Sequence, residues 1–346
     1  MDNCAKNAIC NVRNYAKAKI EEDRNFVKNI CDLYEVDIQE LVNRVIANPV
    51  TINFHLDRFS ANGKTIIENL IEDGKYHGQF RTGTTNGGKS AYIGGDRFLW
   101  EQRIFSNAYS DEQLDRPKYG ALNILRYLDG ASVRFGACFL TLKPEIVQRC
   151  TFAYGDSSTN PTTLCTSDTF EVVLAEMLRA VQKNGQLLNK VVSWEQEVLA
   201  VLMNPSKNIK DMGRNLDHCI ETHIHGDILL DCDVDSLFID ESYRKTIFQE
   251  QAEELCGKYG INLRWIPERQ VDISSMDKLF RGSIIPRLAQ KIDFELGNSL
   301  GIINALLMGQ ASRDIAINPE RWAGIGNEME LFQYIKQLWH TAAFFG

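Results

Sequence analysis

The sequence contains no run approaching 18 apolar residues, so no membrane-spanning helix is expected. It has no basic excess: 46 Asp and Glu outweigh 38 Lys and Arg, for a formal net charge of −8. Nucleic-acid binders usually carry a basic footprint, so that class is disfavoured. There is no C-x-x-C pair, and the nine cysteines are odd in number. Several stand beside apolar residues, as in Ala137-Cys138-Phe139 and Leu255-Cys256. That pattern suits reduced thiols in a cytosolic setting and not a disulfide framework. Met1-Asp2-Asn3-Cys4 offers no basic segment followed by an apolar one, so no secretory signal is expected. No internal repeat or low-complexity tract is present. What is there is ordinary globular material: 346 residues, 44% hydrophobic and 24% charged, enough for one large domain or two smaller ones.

Residues 1–48 read as helical, with Asp37 and Glu40 spaced as a capping box. Residues 50–58 alternate and read as a strand. Gly78 to Gly88 reads as a short strand that ends in a Gly/Thr-rich loop, whose backbone N–H groups can approach an anion closely. Gly83 to Gly88-Lys89-Ser90 has the P-loop spacing, but Gly94-Gly95 would break the helix a P-loop must open. Phe98 to Phe105 is amphipathic and aromatic-rich. Val133–Leu142 and Thr151–Ser158 read as a strand pair. A helix follows, with Asp168 and Glu171 as its capping box and Asn184-Gly185 as its stop, and then a second helix over 186–203. Residues 242–258 read as a helix and 262–266 as a strand; from about 275 the pattern is helical with no strand signal.

The chain is best organised around His218-Cys219-Ile220-Glu221-Thr222-His223-Ile224-His225-Gly226. As a strand it puts Ile220 and Ile224 on one face and Cys219, Glu221, His223 and His225 on the other. Four readings of that second face compete. A metal site has ligand types but no second half at a known spacing. A Cys219 nucleophile would sit roughly 13 Å along the strand from His223, too far for activation. A merely wet strand face is ordinary. The fourth reading is a single catalytic glutamate acting on a bound nucleotide or sugar. The Asp-x-Asp-x-Asp run from Asp231 lacks the Gly and Glu of a calcium loop, with Ser236 and Ser242 in their places.

Several blocks favour the fourth reading. Phe54-His55-Leu56-Asp57-Arg58, Gln79 to Gly88, Arg116 to Asn123, Arg134-Phe135-Gly136 and Thr151 to Ser157 resemble the landmarks of a bacterial family long labelled only as a domain of unknown function. The resemblance covers about residues 45–270, and that family is similar to a divergent branch of the ADP-ribosyltransferase superfamily. The superfamily pattern is an arginine on a first core strand, a Ser or Thr on a later strand, and a glutamate on a last strand. The resemblance implies Arg81, then Thr151 or Ser157, then Glu221. It implies that Arg81 holds the NAD diphosphate, with Arg58 and Arg134 as alternatives, and that Thr82 and Gly83 add donors. Tyr119 would stack on nicotinamide, and Ser157 or Thr151 would orient Glu221. Position 219 is Cys where the arginine-modifying branch has the first Glu of Glu-x-Glu. Glu195-Gln196-Glu197 has that spacing but lies in a helical run.

The expected fold is α+β: an ADP-ribosyltransferase-like split, mixed and mostly antiparallel β core over 49–270, with helical additions over 1–48 and 271–346. The expected function is NAD-dependent mono-ADP-ribosyl transfer to a protein acceptor, with NAD as co-substrate, no metal, and neither nucleic acid nor membrane as partner. The protein is expected in the cytoplasm, or secreted without a signal peptide into a host cell. Acidic residues before apolar ones from Glu328 to Gly346 suit a translocation signal or a terminal packing helix. The alternatives are a toxin-type nuclease using Glu221 with His223 or His225, a P-loop ATPase using Lys89, and a non-catalytic interaction module.

Overall fold

The computed structural model describes residues 1–83, 91–188, 190–192, 195–204, 213, 216–297 and 299–346. Its centre is one mixed sheet of eight strands: β1 (Val50–Phe54), β2 (Lys118–Leu122), β3 (Cys138–Leu142), β4 (Cys150–Tyr154), β5 (Leu164–Thr166), β6 (Ile220–Ile224), β7 (Val234–Asp240) and β8 (Asn262–Ile266). They lie in the order β8-β7-β3-β1-β2-β6-β4-β5. β7 and β8 are parallel, and the other neighbours are antiparallel. The sheet is continuous, where a split core was expected.

Helices α1 (Asn3–Lys17), α2 (Ile20–Leu33) and α3 (Ile38–Ile46) precede the sheet. Between β1 and β2 come α4 (Ile66–Asp73), α5 (Gln79–Thr82) and α6 (Asp96–Ile104); between β5 and β6 come α7 (Glu171–Asn184) and α8 (Glu195–Met203). The parallel pair β7–β8 needs a crossover, and α9 (Ile247–Tyr259) supplies it. α10 (Ile284–Leu296), α11 (Ala305–Ile317) and α12 (Glu328–Phe345) close the chain.

One hydrophobic core runs from Ala16 to Ala343 and joins the helices at both ends to the sheet. The helix ends are chemically specified. Asp37 accepts from the Glu40 N–H at 2.7 Å, and Gly185 takes a left-handed φ of 64° after α7. α12 opens with a capping box between Asn327 and Glu330, and its Trp339 Nε1 donates to the Val133 carbonyl at 2.8 Å. The tail is therefore a packed helix. All nine cysteines are free. Among the described residues, no helix is long and apolar enough to cross a membrane.

Five local expectations change. Gln79–Thr82 is one helical turn, not a strand, because Gly78 starts it and Gly83, at φ 65°, stops it. Val133–Phe135 is a 3-10 turn, and the strand begins only at Cys138. At the junction, a Cβ on Gly136 would lie 2.0 Å from the Phe54 backbone, so only glycine allows the two segments to pass. Asp168 does not cap α7. Thr166 and Thr169 form a reciprocal cap on the preceding 3-10 turn, Ser167–Thr169, and Asp168 accepts from Thr166 and Arg13. The start of the 186–203 segment is a short hairpin, Gln186–Leu187 with Lys190–Val191, before α8. Ile302–Asn304 pairs with Gln270–Asp272, a strand pair inside the region expected to be helical. Of the P-loop spacing, Gly83 is described; the stretch through Lys89 to Ser90 lies outside the described residues.

Candidate functional site

β6 alternates as expected, and its register builds the site. Tyr119 on β2 and Thr151 on β4 both pair with His223, and Ala121 and Ala153 both pair with Glu221. Directly paired residues share a face. Glu221 therefore stands between two methyl groups, while His223 stands between a phenol and a hydroxyl. The face is not wet. His223 and His225 are fully buried and Glu221 is 7% exposed. A second apolar cluster, including Phe105, Tyr109 and Val12, covers it, with Phe105 edge-on to both histidines at 5.3 and 5.1 Å.

Oε1 of Glu221 accepts from the Ser157 backbone N–H at 3.2 Å, from the Ser157 hydroxyl, and from His223 Nε2 at 2.9 Å. Oε2 accepts none among the described residues. Glu221 lines a cleft whose walls include Phe80, Arg97, Trp100, Tyr119 and Arg134. The carboxylate is thus held on one side and open to a ligand on the other.

Two guanidinium groups reach this cleft. Arg134 is committed elsewhere: it pairs with Asp156 at 2.6 Å and with Asp217. Burial works to raise the Asp156 pKa, but Arg134 and the Ser158 hydrogen bonds outweigh it and hold the carboxyl below its ordinary value. Arg97, on α6, is only 7% exposed, and its Nε has no hydrogen-bond partner among the described residues. It acts electrostatically on Glu101 and on Asp156, but Glu101 pairs with Arg116 at 3.1 Å and accepts from Tyr119 at 3.0 Å, and Asp156 pairs with Arg134. Burial pushes the Glu101 pKa up, against the pull of Arg97 and Arg116. Two buried cations thus share one carboxylate. The Arg97 guanidinium lies 4.9 Å from the Trp100 ring centre and 4.3 Å from that of Tyr119. A buried cation without its own counter-ion is costly unless a ligand supplies one.

The structure brings together Glu221, Ser157, Thr151 and Tyr119, and leaves out the residues expected before β2. Arg81 is exposed on α5, paired with Asp115 at 2.9 Å, and does not line the cleft; Thr82 and Gly83 do not line it either. Arg58 pairs with Asp57 and lines a neighbouring groove, which shares Arg134 and Phe135 with the cleft. Thr151 and Ser157 are fully buried behind Glu221 rather than facing a cofactor. Tyr119 lines the cleft, but Arg97 covers a face of its ring. Glu195 and Glu197 stand in the first turn of α8, not on β6. Arg97 and Glu101 escaped the sequence reading. Their signal was an i, i+4 charge pair inside an aromatic helix segment, which reads equally well as a solvated pair. Among the described residues, no three His, Cys, Asp or Glu are grouped to hold a metal ion.

Residues 49–344 match the family described as protein of unknown function DUF3626. The match spans most of the chain, and the chain belongs to that family. The matched span takes in the sheet, the cleft and the closing helices. No curated protein matches the chain.

Proposed function

We propose that this protein is an NAD-dependent mono-ADP-ribosyltransferase that modifies a protein acceptor, with Glu221 as its catalytic carboxylate. One observation carries the reading: a glutamate with Oε1 fixed by three donors and Oε2 without one among the described residues, at the foot of an aromatic-walled cleft. Cleavage of the nicotinamide–ribose bond develops oxocarbenium character at C1′, as glycoside hydrolysis does. A fixed carboxylate that accepts from the ribose 2′-hydroxyl gains interaction as that charge grows. The acceptor's nucleophile then bonds to C1′ and loses its proton, and nicotinamide departs with the electrons of the broken bond. Arg97 suits the diphosphate better than Arg81, because it is buried in the cleft and, among the described residues, makes no ion pair, whereas Arg81 pairs with Asp115.

The nuclease alternative is less well supported. His225 is fully buried, and burial followed by His223, Lys118 and Arg149 keeps its pKa well below the ordinary histidine range, which disfavours the imidazolium a general acid would use.

The test incubates the protein with labelled NAD and a cell lysate. Label on a discrete protein band, lost in Glu221→Gln, supports transfer. Nicotinamide release without protein label indicates an NAD glycohydrolase. If NAD is neither bound nor turned over with any lysate, the reading fails. If Glu221→Gln leaves every measurable property intact, an interaction module is the better account.

A further inference from the structure

Behind Glu221 the buried polar groups form a single file. The Tyr109 hydroxyl lies 2.7 Å from His225 Nδ1, and His225 Nε2 lies 3.0 Å from Thr151 Oγ1. Thr151 Oγ1 in turn lies 2.9 Å from His223 Nδ1, and His223 Nε2 lies 2.9 Å from Glu221 Oε1. Tyr109 is 1% exposed, and His225, Thr151 and His223 are fully buried. The file crosses from the loop after α6 to β6, to β4 and back to β6, so it exists only in the assembled sheet.

Each inner link can point either way, since a neutral imidazole has one donor and one acceptor nitrogen and a hydroxyl can be both. The two ends remove that freedom. An ionised glutamate only accepts. Tyr109 is a buried phenol, held protonated by burial first and the Glu101 charge second, and His225 is its hydrogen-bond partner. If Tyr109 did not donate there, its buried O–H would be left unsatisfied.

We propose that Tyr109, His225, Thr151 and His223 form a one-way hydrogen-bond relay that positions Glu221, with both imidazoles in the Nε2–H form. Tyr109 donates to His225 Nδ1, and His225 Nε2–H donates to Thr151. Thr151 donates to His223 Nδ1, and His223 Nε2–H donates to Glu221 Oε1, shared with Ser157 Oγ at 2.8 Å. The relay holds one carboxylate oxygen and thereby aims the other into the cleft. These four are positioning residues, since none lines the cleft. The assignment rests on the proposed reaction only for its rate consequence; the tautomers are a separate matter.

The test is nitrogen-15 NMR of the full chain with labelled histidines. Wild type should show Nδ1 unprotonated and Nε2 protonated at both His223 and His225. Thr151→Val should move the His223 resonances away from that form, and Thr151→Ser should restore them. Tyr109→Phe should disturb His225 first. In the NAD reaction, Thr151→Val should lower kcat by roughly 10²-fold with KM little changed, the scale expected from misplacing a reacting group. A protonated Nδ1 on either histidine in wild type overturns the relay, and that measurement needs no variant. So does a His223 spectrum unmoved by both Thr151→Val and Tyr109→Phe. Absence of NAD turnover in wild type removes the proposed reaction but leaves the tautomer result to decide the relay.

Discussion

Arg97 holds its guanidinium 4.3 Å from the centre of the Tyr119 ring, and Glu101, four residues on, is bonded to Arg116 instead. Among the described residues, no carboxylate makes an ion pair with Arg97 directly. Inorganic pyrophosphate and ADP-ribose should both bind in the cleft and raise the melting temperature. At 100 times Kd the gain is about 2.7 kcal/mol of stability. Arg97→Gln should abolish most of that shift, while Arg81→Gln should leave it unchanged. A shift that follows Arg81 would return the anion site to α5.

Glu221→Gln keeps the shape and removes the charge. The carboxamide can still accept from Ser157, so the fold should hold, with a melting temperature within a few degrees of wild type. NAD cleavage should fall by about 10²-fold or more, the scale for loss of a preorganised electrostatic contact. Nicotinamide release in the absence of acceptor is the measurement. An unchanged rate would take Glu221 out of the chemistry.

His340 should make the protein acid-sensitive. Burial first, then Arg281, Lys336 and Arg134, push it from 6.5 down to about 3. Between those values the unfolded chain binds a proton that the folded chain refuses, so stability is lost as pH falls through this window. The slope from this residue is about 1.4 kcal/mol per pH unit. Asp57, Glu101 and Asp240, whose pKa values burial raises, act in the opposite direction. Comparing wild type with His340→Gln at each pH cancels them. Urea unfolding at pH 5, 6 and 7 should show the difference between the two proteins changing steadily in this sense, and equal slopes would contradict it.

Gly120 sits beside Tyr119 where β1 and β2 approach closely. A Cβ there would lie 2.6 Å from the Thr51 carbonyl oxygen and 3.2 Å from Ile52 Cγ1. Gly120→Ala should cost about 1–3 kcal/mol, as overpacking does. Chemical denaturation measures it, and a loss below 0.5 kcal/mol would mean that the strands part without strain, by the same scale.

The centre of the site was legible because strand alternation is local. Ile220 and Ile224 declare the core face, and Glu221, His223 and His225 then fall together on the other. What covers that face was not legible. Phe105 and Tyr109 reach it from more than 100 positions away, and no local pattern records such a contact. The same holds for Ser157, whose tie to Glu221 spans 64 positions. Arg81 misled for a different reason. Gly78 and Gly83 at either end of Gln79–Thr82 are as compatible with a capped helical turn as with a strand and loop, and only the former is found. β5 and most of β7 went unread because the first is three residues long and the second begins in an acidic stretch that looks like a turn.

Ala121 and Ala153 flank Glu221 from the two neighbouring strands. The carboxylate therefore stands in a clearing, and the width of that clearing is set by two side chains that take no part in holding it. Both alanines are fully buried, so Val or Leu at either position would overpack the sheet face on which Glu221 stands. The room around the carboxylate is in this way kept by two residues that neither bond to it nor line the cleft.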